Sequence, residues 1–366
     1  MKKILIWLLC LCLLTQSVMA AGASAEQERE EALSALAGQK ALAGVSGQEL
    51  LSLGAEFPAG TSICDWTAYC IGLLKAEKTG QYLSELRRYA DERLSDSSVR
   101  DVRATEWHRV ALTAAALGAD PTCFGENNDL DLIALGTYNY AGESLGMQGL
   151  NGWIWALIAL DSGDYAVPAD ARYSREEILS AILERQEEDG GFGLARGSSD
   201  TDITAMALQA LAPYRSECGE AIERALAYLS GSLLDTLDFA YFGTRSAESA
   251  AQVIIALCAL GIDPAEDERF LRGGGTLLDG LEAYRCADGS YSHEPDVGTG
   301  DFMATEQVML ARLALWRLRS GQGSVYALHT SQTESGKRSP LMIVLPLTAA
   351  AAVGTLALIG RKKKHE

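Results

Sequence analysis

Apolar, alanine-rich stretches recur along the chain, and each is long enough to form a buried helix. Two of them end almost identically, with Ala-Leu-Gly-x-Asp-Pro at 116–121 and again at 259–264. Glycine directly after a helix, followed by proline, is the usual chemistry of a helix end. The last leucines of these stretches recur every 43 to 55 residues, which predicts six similar units: Leu74, Leu117, Leu160, Leu211, Leu260 and Leu315.

Charged segments with a single apolar face alternate with these buried stretches. Residues 174–186 and 219–229 carry their apolar residues at the spacing of one helix face, so the other face lies in water. A helix that is apolar almost all round, such as 250–260, must be surrounded by other helices. Six alternations predict an all-α fold, an α/α toroid over 60–320 with six inner and about six outer helices, after a helical lead-in over 21–59. A flat helical solenoid is the alternative.

The first residues carry the three parts of a secretory signal peptide. Lys2 and Lys3 precede an apolar run over 4–14, and small residues follow it. The pattern predicts a signal peptide over 1–20 that is cleaved after Ala20, so the mature chain is exported.

A second uncharged apolar segment lies near the C-terminus, at 341–360. About 20 such residues cross the ~30 Å hydrocarbon core of a bilayer as a helix. The basic residues within 361–366 follow directly and hold that end in the cytoplasm. We expect a single-pass protein of the cell membrane with an extracellular toroid, a flexible tether over 321–340, a transmembrane helix over 341–360 and a cytoplasmic tail. A buried core helix is the alternative for 341–360.

The net charge and the cysteines exclude some kinds of partner. A formal charge of −18 at pH 7 repels nucleic acid at long range, so we expect no nucleic-acid partner. Beyond the signal peptide, the cysteines are scattered without the close pairs of a zinc site. Disulfides can form in an exported protein, and their pairing stays open. The apolar neighbours of Cys258 predict a buried thiol.

Polar residues recur near the starts of the six apolar helices. Nine positions before the end leucines, five of six residues are polar, and parallel inner helices would bring these positions to one rim. Converging helix N-termini stabilise carboxylates and attract anions, and tryptophans offer apolar walls. Alternatively, the acidic residues are helix caps, the histidine is a satisfied buried side chain and the tryptophans belong to the core. The candidate cavity-binding residues are Asp65, Trp107, His108, Asn151, Trp153, Asp200, Asp202 and Glu306.

Two neighbouring segments carry a repeat that is specific to one superfamily. Residues 186–193 read Gln-Glu-Glu-Asp-Gly-Gly-Phe-Gly, and residues 200–214 begin Asp-Thr-Asp-Ile-Thr-Ala. They resemble the squalene cyclase-like repeats of the terpenoid cyclase and protein prenyltransferase α/α toroid superfamily, in its bacterial exported surface-protein branch. The resemblance covers about residues 60–328, implies an exported toroid, and includes the further segments 151–162, 248–264 and 304–307.

The resemblance implies two kinds of chemistry, and the chain departs from both. Prenyltransferases hold zinc with an Asp-x-Cys and a later His, but here Asp202 stands at the cysteine position and Ala304 at the histidine position. Squalene-type cyclases protonate an alkene with the middle carboxylate of Asp-x-Asp-Asp-Thr-Ala. Asp202 matches that residue, whereas Ile203 replaces the next aspartate. We therefore expect no zinc or other metal, no other cofactor, and an incomplete acid motif.

These observations favour a membrane-anchored extracellular protein that binds a small molecule or a surface protein at the toroid mouth, without the catalysis of the family. The alternative is an enzyme, terpene cyclase-like or carbohydrate-active, that uses Asp202 as a general acid. Asp65 and Glu306 are the further carboxylates that a glycosidase pair would draw on. A purely structural surface protein is the third interpretation.

Overall fold

The structure is a computed structural model that describes residues 24–96, 102–241 and 243–328. These residues are mostly helical, with one short β-hairpin, so the prediction of an all-α fold is confirmed. The predicted signal peptide, transmembrane helix and cytoplasmic tail, and residues 329–340 of the predicted tether, lie outside the described residues. Within the described ranges, no helix has both the length and the apolar character that a membrane span needs.

Twelve helices lie within the described residues, and apolar helices alternate with amphipathic ones along the chain. A hairpin of two short strands, β1 (Phe239–Tyr241) and β2 (Thr244–Ser246), pairs antiparallel with Phe239 opposite Ser246. The helices are α1 (24–42), α2 (Ser62–Leu74), α3 (Gly80–Ser95), α4 (Ala104–Ala116), α5 (Leu132–Gly136), α6 (Leu150–Ser162), α7 (Arg175–Leu183), α8 (Thr201–Leu211), α9 (Gly219–Ser232), α10 (Ala247–Ala259), α11 (Leu277–Leu281) and α12 (Phe302–Arg319).

The six even-numbered helices, called the inner helices here, pack on one another in chain order. α2 contacts α4, α4 contacts α6, and the series continues through α8 and α10 to α12, which contacts α2. The contacts between the inner helices therefore form a closed cycle. Each of the six predicted end leucines lies in an inner helix or directly after it.

The apolar character of the inner helices follows from their position among other helices. In α10, which packs on both α8 and α12, every residue from Ala247 to Cys258 is buried. Its small residues, among them Ala250, Ala251 and Ala256, allow the neighbouring helices to approach closely. Cys258 is buried, as predicted, and all six described cysteines carry free thiols.

The odd-numbered helices cover the inner ones with one apolar face each. α9 buries Ile222, Leu226 and Leu229 against α8 and leaves its charged residues in solvent. α1 is joined to α12 by buried ion pairs, in which the Glu28 carboxylate accepts from Arg312 and Arg319, both at 2.9 Å. Two of these helices, α5 and α11, are only five residues long, so the outer layer is less regular than the inner one.

Residues 322–328, called the closing segment here, lie against the C-terminal ends of inner helices. The Arg317 guanidinium donates hydrogen bonds to the carbonyls of Gln322, Ser324 and Ala327, at 3.0 to 3.2 Å. The Leu328 N–H donates to the carbonyl of Ser162 at the end of α6, at 2.9 Å. The first residues of the predicted tether are therefore packed on the helices.

The closing segment also inserts an aromatic side chain between α2 and α6. The Tyr326 ring lies 6.1 Å from Tyr69 and 5.7 Å from Trp155, between ring centroids, and Trp155 lies 5.1 Å from Trp66. The Tyr69 hydroxyl donates to the Val325 carbonyl at 2.8 Å. This aromatic cluster fills space between the inner helices and holds the closing segment in place.

Candidate functional site

The starts of neighbouring inner helices contact one another, so that they share one face of the molecule, called the helix-start face here. The Leu150 N–H at the start of α6 donates to the carbonyl of Leu194, just before α8, at 3.1 Å. In the same way, the Ala247 N–H at the start of α10 donates to the carbonyl of His293, just before α12, at 3.1 Å. The loop before one inner helix thus satisfies a free N–H of the previous inner helix.

Two carboxylates near the starts of inner helices, Asp202 and Glu306, both interact electrostatically with a third, Glu248, and with His293 these residues form what we call the acidic cluster. Asp202 and Glu248 are the second residues of α8 and α10, and Glu306 lies one turn into α12. His293 Nδ1 lies 2.9 Å from both carboxylate oxygens of Glu248, and the Ser246 hydroxyl donates to Glu248 at 2.9 Å. Among the described residues, no lysine or arginine forms a salt bridge with these three carboxylates.

The environment of Asp202 favours its neutral form. Burial raises the pKa of the Asp202 carboxyl to about 6, and the negative charges of Asp200 and Glu248 add to the effect. A hydrogen bond from Ser249 and the nearby His293 oppose that shift. Oδ1 of Asp202 is buried and has no hydrogen-bond partner among the described residues. Asp202 is therefore a carboxyl that gains or loses its proton near neutral pH.

Glu306 lies deeper between the helices than Asp202. It is 3% exposed, and burial raises its pKa well above the ordinary value, with a smaller contribution from Glu248. Its charge in turn raises the pKa values of the Cys70 thiol and the Tyr326 hydroxyl, after the larger effect of their own burial. Glu306 is thus a buried acid between Glu248 and the aromatic cluster, and its burial favours the neutral form.

His293 is the exposed member of the acidic cluster. Half of its side chain is accessible, 51%, while that of Glu248 is 6% accessible. The hydrogen bond to Glu248 raises the pKa of His293, and partial burial opposes the change. The imidazole of His293 therefore partly covers the buried carboxylate of Glu248. The charge of an imidazole changes with pH near neutrality.

Asp65, the first predicted site residue, is held by partners on three sides. Its carboxylate accepts from the Gly60 N–H at 2.9 Å, the Tyr82 hydroxyl at 2.7 Å and the Arg109 guanidinium at 2.8 Å. Arg109 also donates to the Gly60 carbonyl at 2.7 Å. These contacts tie α2 to α3 and α4, which is a structural role, and Asp65 is not a member of the acidic cluster.

His108 and Trp107 lie against α5. His108 Nε2 donates to the Gly136 carbonyl, which fixes the neutral tautomer, and burial lowers the pKa of His108 to about 4. A Cβ on Gly136 would lie 3.0 Å from Cβ of Trp107, so both side chains pack closely there. Trp107 is a core residue, as the alternative interpretation has it, whereas His108 is buried but only half satisfied, because its Nδ1 has no hydrogen-bond partner among the described residues.

Asn151, Trp153 and Asp200 lie nearer the helix-start face. Asn151 is the second residue of α6, and its Oδ1 is buried without a hydrogen-bond partner among the described residues. Trp153 packs on Tyr173, with ring centroids 5.4 Å apart. The Asp200 side chain caps α8 by accepting from the Ile203 N–H at 2.8 Å. Of the predicted residues, Asp202 and Glu306 share an electrostatic partner, Glu248.

Sequence reasoning missed Glu248 and His293. The count from the end leucines reached Ala251 in α10, although the equivalent of Asp202 is the second helical residue, Glu248. Inner helices differ in length, from 11 residues in α8 to 18 in α12, so counting from their ends shifts the register. An alignment on the N-cap residues Asp200 and Ser246 would have found Glu248.

Exposed apolar side chains occupy the same face. Five of them lie in the first residues of an inner helix or in the loop before one, and they are between 39% and 56% exposed. Exposed apolar groups next to a few convergent polar ones are typical of a binding surface. We call this set the apolar rim: Ile63, Met147, Leu194, Val297 and Met303.

A zinc site of the prenyltransferase kind does not fit these residues. Ala304, which the resemblance matches to the histidine ligand, is fully buried and has no side-chain atom that could bind a metal. No group of three or more His, Cys, Asp or Glu side chains in the described ranges has the geometry to hold a metal ion. No family model matches the sequence, and no curated protein matches it.

Proposed function

We propose that this protein is a membrane-anchored extracellular binding protein built on an α/α toroid, and that it binds a ligand or partner through a cationic group at the acidic cluster. The observation that carries the proposal is the convergence of Asp202, Glu248 and Glu306 without a salt bridge to lysine or arginine among the described residues. A cation placed there replaces the water that these groups lose on burial.

The apolar rim supports a ligand with an apolar body. Leu194 and Met303 are each 46% exposed beside the helix starts that carry the acidic cluster, and both would lose water contact when a ligand covers them. The proposed ligand class is therefore an organic cation, either a free amine or the basic side chain of a surface protein. The net charge of −18 favours the approach of such a partner.

The remaining parts of the proposal rest on other observations. The closed cycle of contacts between the inner helices supports the toroid. Membership of the terpenoid cyclase and prenyltransferase superfamily is supported by the repeat at 186–193 and 200–214. Export and anchoring are supported by the sequence signals at 1–20 and 341–360. The catalytic chemistry of the family is not part of the proposal, because Asp202 and Ala304 replace two zinc ligands.

Calorimetry with a matched pair of probes tests the proposal. Phenethylammonium and phenylacetate share an aromatic body and differ in charge, and each is titrated into the full chain in detergent micelles at pH 7.5. We expect saturable binding of the cation alone. The double variant Asp202→Asn, Glu248→Gln should weaken that binding at least about tenfold, which corresponds to ~1.4 kcal/mol.

The control and the pH dependence make the test specific. Glu92→Gln removes an exposed carboxylate from α3, away from the acidic cluster, and should leave the affinity unchanged. Affinity should fall between pH 7.5 and pH 5, because Asp202, with a pKa of about 6, takes up a proton in this range. Equal binding of both probes, or unchanged affinity in the double variant, would contradict the proposal.

An enzyme that uses Asp202 as a general acid is the second candidate function. The observation that favours it is a carboxyl with a pKa of about 6 whose Oδ1 is unpartnered, since a general acid works best near its operating pH. Product formation from terpenoid and glycan substrates is compared between the natural chain and Asp202→Asn. Equal product formation by the two proteins, or none by either, rules out this role on those substrates.

A further inference from the structure

The carboxylates of the acidic cluster are covered, although a cationic group has to reach them in the proposed function. Glu248 and Glu306 are buried, and Oδ1 of Asp202 is inaccessible to solvent. His293 is the exposed member of the cluster, and its ring lies on the carboxylate of Glu248. A ligand that approaches from solvent therefore meets the imidazole of His293 before it meets the carboxylate of Glu248.

The imidazole occupies the position that a cationic group of a ligand would take. Nδ1 of His293 lies 2.9 Å from each of the two carboxylate oxygens of Glu248. The Ser246 hydroxyl donates to Oε2 of Glu248 and leaves no other polar side chain on this carboxylate among the described residues. An ammonium or guanidinium group binds a carboxylate at a similar distance, about 2.7–2.9 Å. His293 and the ligand therefore compete for Glu248.

The backbone of His293 is fixed on both sides, so the imidazole can move without the loop. The Ser292 N–H donates to the Tyr284 carbonyl at 2.8 Å, and the His293 carbonyl accepts from the Ala247 N–H at 3.1 Å. Half of the His293 side chain is accessible, so solvent adjoins the ring. Rotation about the side-chain bonds moves the ring off Glu248, and exposed side chains change rotamer within picoseconds to nanoseconds.

The charged groups that act on the imidazole are all acidic, and they come from every element around it. The hydrogen bond to Glu248 raises the pKa of His293, and partial burial opposes the change. The negative charges of Glu248 on α10, Asp301 before α12 and Glu294 in the loop add to the increase. Asp202 on α8 also interacts with the ring. A protonated imidazole adds an ion pair to its hydrogen bond with Glu248, so its hold weakens as the pH rises through the raised pKa.

We propose that His293 is a pH-dependent lid on the acidic cluster, closed over Glu248 in the free protein and displaced by the cationic group of the ligand. The inference rests on the function proposed above and adds the regulation of that site. In the closed state the imidazole holds the carboxylate of Glu248. In the open state the imidazole lies in solvent, and the ligand takes its place. Protonation of His293 closes the lid, so the ligand is released as the pH falls.

Nitrogen NMR of the His293 ring in the full chain, in micelles at pH 8.5, tests the displacement directly. In the free protein, the neutral imidazole should carry its proton on Nδ1, because Glu248 accepts from this atom. Saturation with phenethylammonium should move proton population to Nε2, because the released ring no longer has an acceptor at Nδ1. A cation that bound beside a closed lid would leave the proton on Nδ1.

Calorimetry with phenethylammonium and two His293 variants measures the competition. His293→Ala removes the lid and should raise the affinity about twofold to fivefold at pH 6.5, the range for a half-exposed ion pair. His293→Asn keeps a neutral donor near the position of Nδ1, so its affinity should depend less on pH between 6 and 8.5 than that of the natural chain. Thr299→Ala changes an exposed side chain of the same loop and should leave the affinity unchanged.

The outcomes separate the lid from the function on which it rests. Binding of phenethylammonium to neither the natural chain nor His293→Ala contradicts the proposed function, and the lid with it. Saturable binding with unchanged affinity in His293→Ala, or with the His293 proton still on Nδ1, overturns the lid alone. The NMR measurement uses the natural chain, so it decides the question even if a variant does not fold.

Discussion

Two regions of the chain, 186–211 and 285–311, form the same local structure. They differ in the side chains that they place at the helix-start face. In each, the backbone of an aromatic residue forms an antiparallel β-bridge with the backbone of an aspartate that caps an inner helix. The pairs are Phe192 with Asp200 and Tyr291 with Asp301. A threonine inside the helix closes the loop, because Thr204 bonds the Phe192 N–H at 2.8 Å and Thr305 bonds the Tyr291 N–H at 2.9 Å.

Three of the differences between the two regions lie in the loop or the first helical turn. Gly193, Leu194 and Asp202 in the first region correspond to Ser292, His293 and Met303 in the second. Each region therefore presents one polar and one apolar side chain, in the reverse order. The residues that the two regions share hold the backbone. The residues that differ include members of the acidic cluster and of the apolar rim, so the candidate function depends on what the two regions do not share.

The largest expected effect tests the difference between Gly193 and Ser292. A Cβ on Gly193 would lie 1.7 Å from the Ser198 carbonyl oxygen, so Gly193→Ala must displace the backbone. We expect a loss of unfolding free energy on the order of 3 kcal/mol or more, measured by urea denaturation. Ser292→Ala, which removes hydroxyl bonds to the Tyr284 and Glu294 carbonyls, should cost only about 1 kcal/mol. Similar losses of unfolding free energy in Gly193→Ala and Ser292→Ala would show that the close backbone approach at Gly193 does not distinguish the two loops.

The matched threonines test the similarity of the two regions. Thr204→Val and Thr305→Val keep the side-chain shape but leave the N–H groups of Phe192 and Tyr291 without their partners. Each substitution should lower the free energy of unfolding by about 1–3 kcal/mol, and the two losses should agree within ~1 kcal/mol. A clear inequality in urea denaturation would break the equivalence of the regions.

The third test compares Asp202 with Met303. Because the pKa of Asp202 is raised in the folded state, its ionisation opposes folding, and the stability that it provides is lost as the pH rises through about 6. Asp202→Asn should therefore raise the free energy of unfolding at pH 7.5 by about 1–3 kcal/mol, with little gain near pH 3.5. Met303→Leu, the control at the matched position, should change stability little at either pH. No gain in Asp202→Asn at pH 7.5 would mean that Asp202 is solvated like a surface carboxylate.

The smallest expected effect concerns His293, which replaces Leu194 of the first region. Glu248→Gln removes the hydrogen-bonded carboxylate and should lower the pKa of His293 toward its ordinary value, as followed by NMR titration of the imidazole. The contribution of the pair to stability is present below about pH 6.5 and is lost as the pH rises through the raised pKa. It should amount to less than ~1 kcal/mol, since His293 is half exposed. An unchanged pKa would separate His293 from Glu248.

The sequence by itself determined the alternation of apolar and amphipathic helices and the six inner helices, because burial on all sides or on one side leaves a direct mark on residue choice. It also singled out Asp202 and Glu306. Which way Asp65 and His108 point, and that Glu248 and His293 join Asp202, was decided only by the tertiary structure. The physical reason is that one step along a helix turns a side chain by about 100°, and that the partners of the acidic cluster come from segments far apart in the chain. The hydrogen bonds that join Gln209, Gln252 and Gln307, which lie 43 and 55 residues apart, likewise depend on the packing of the helices.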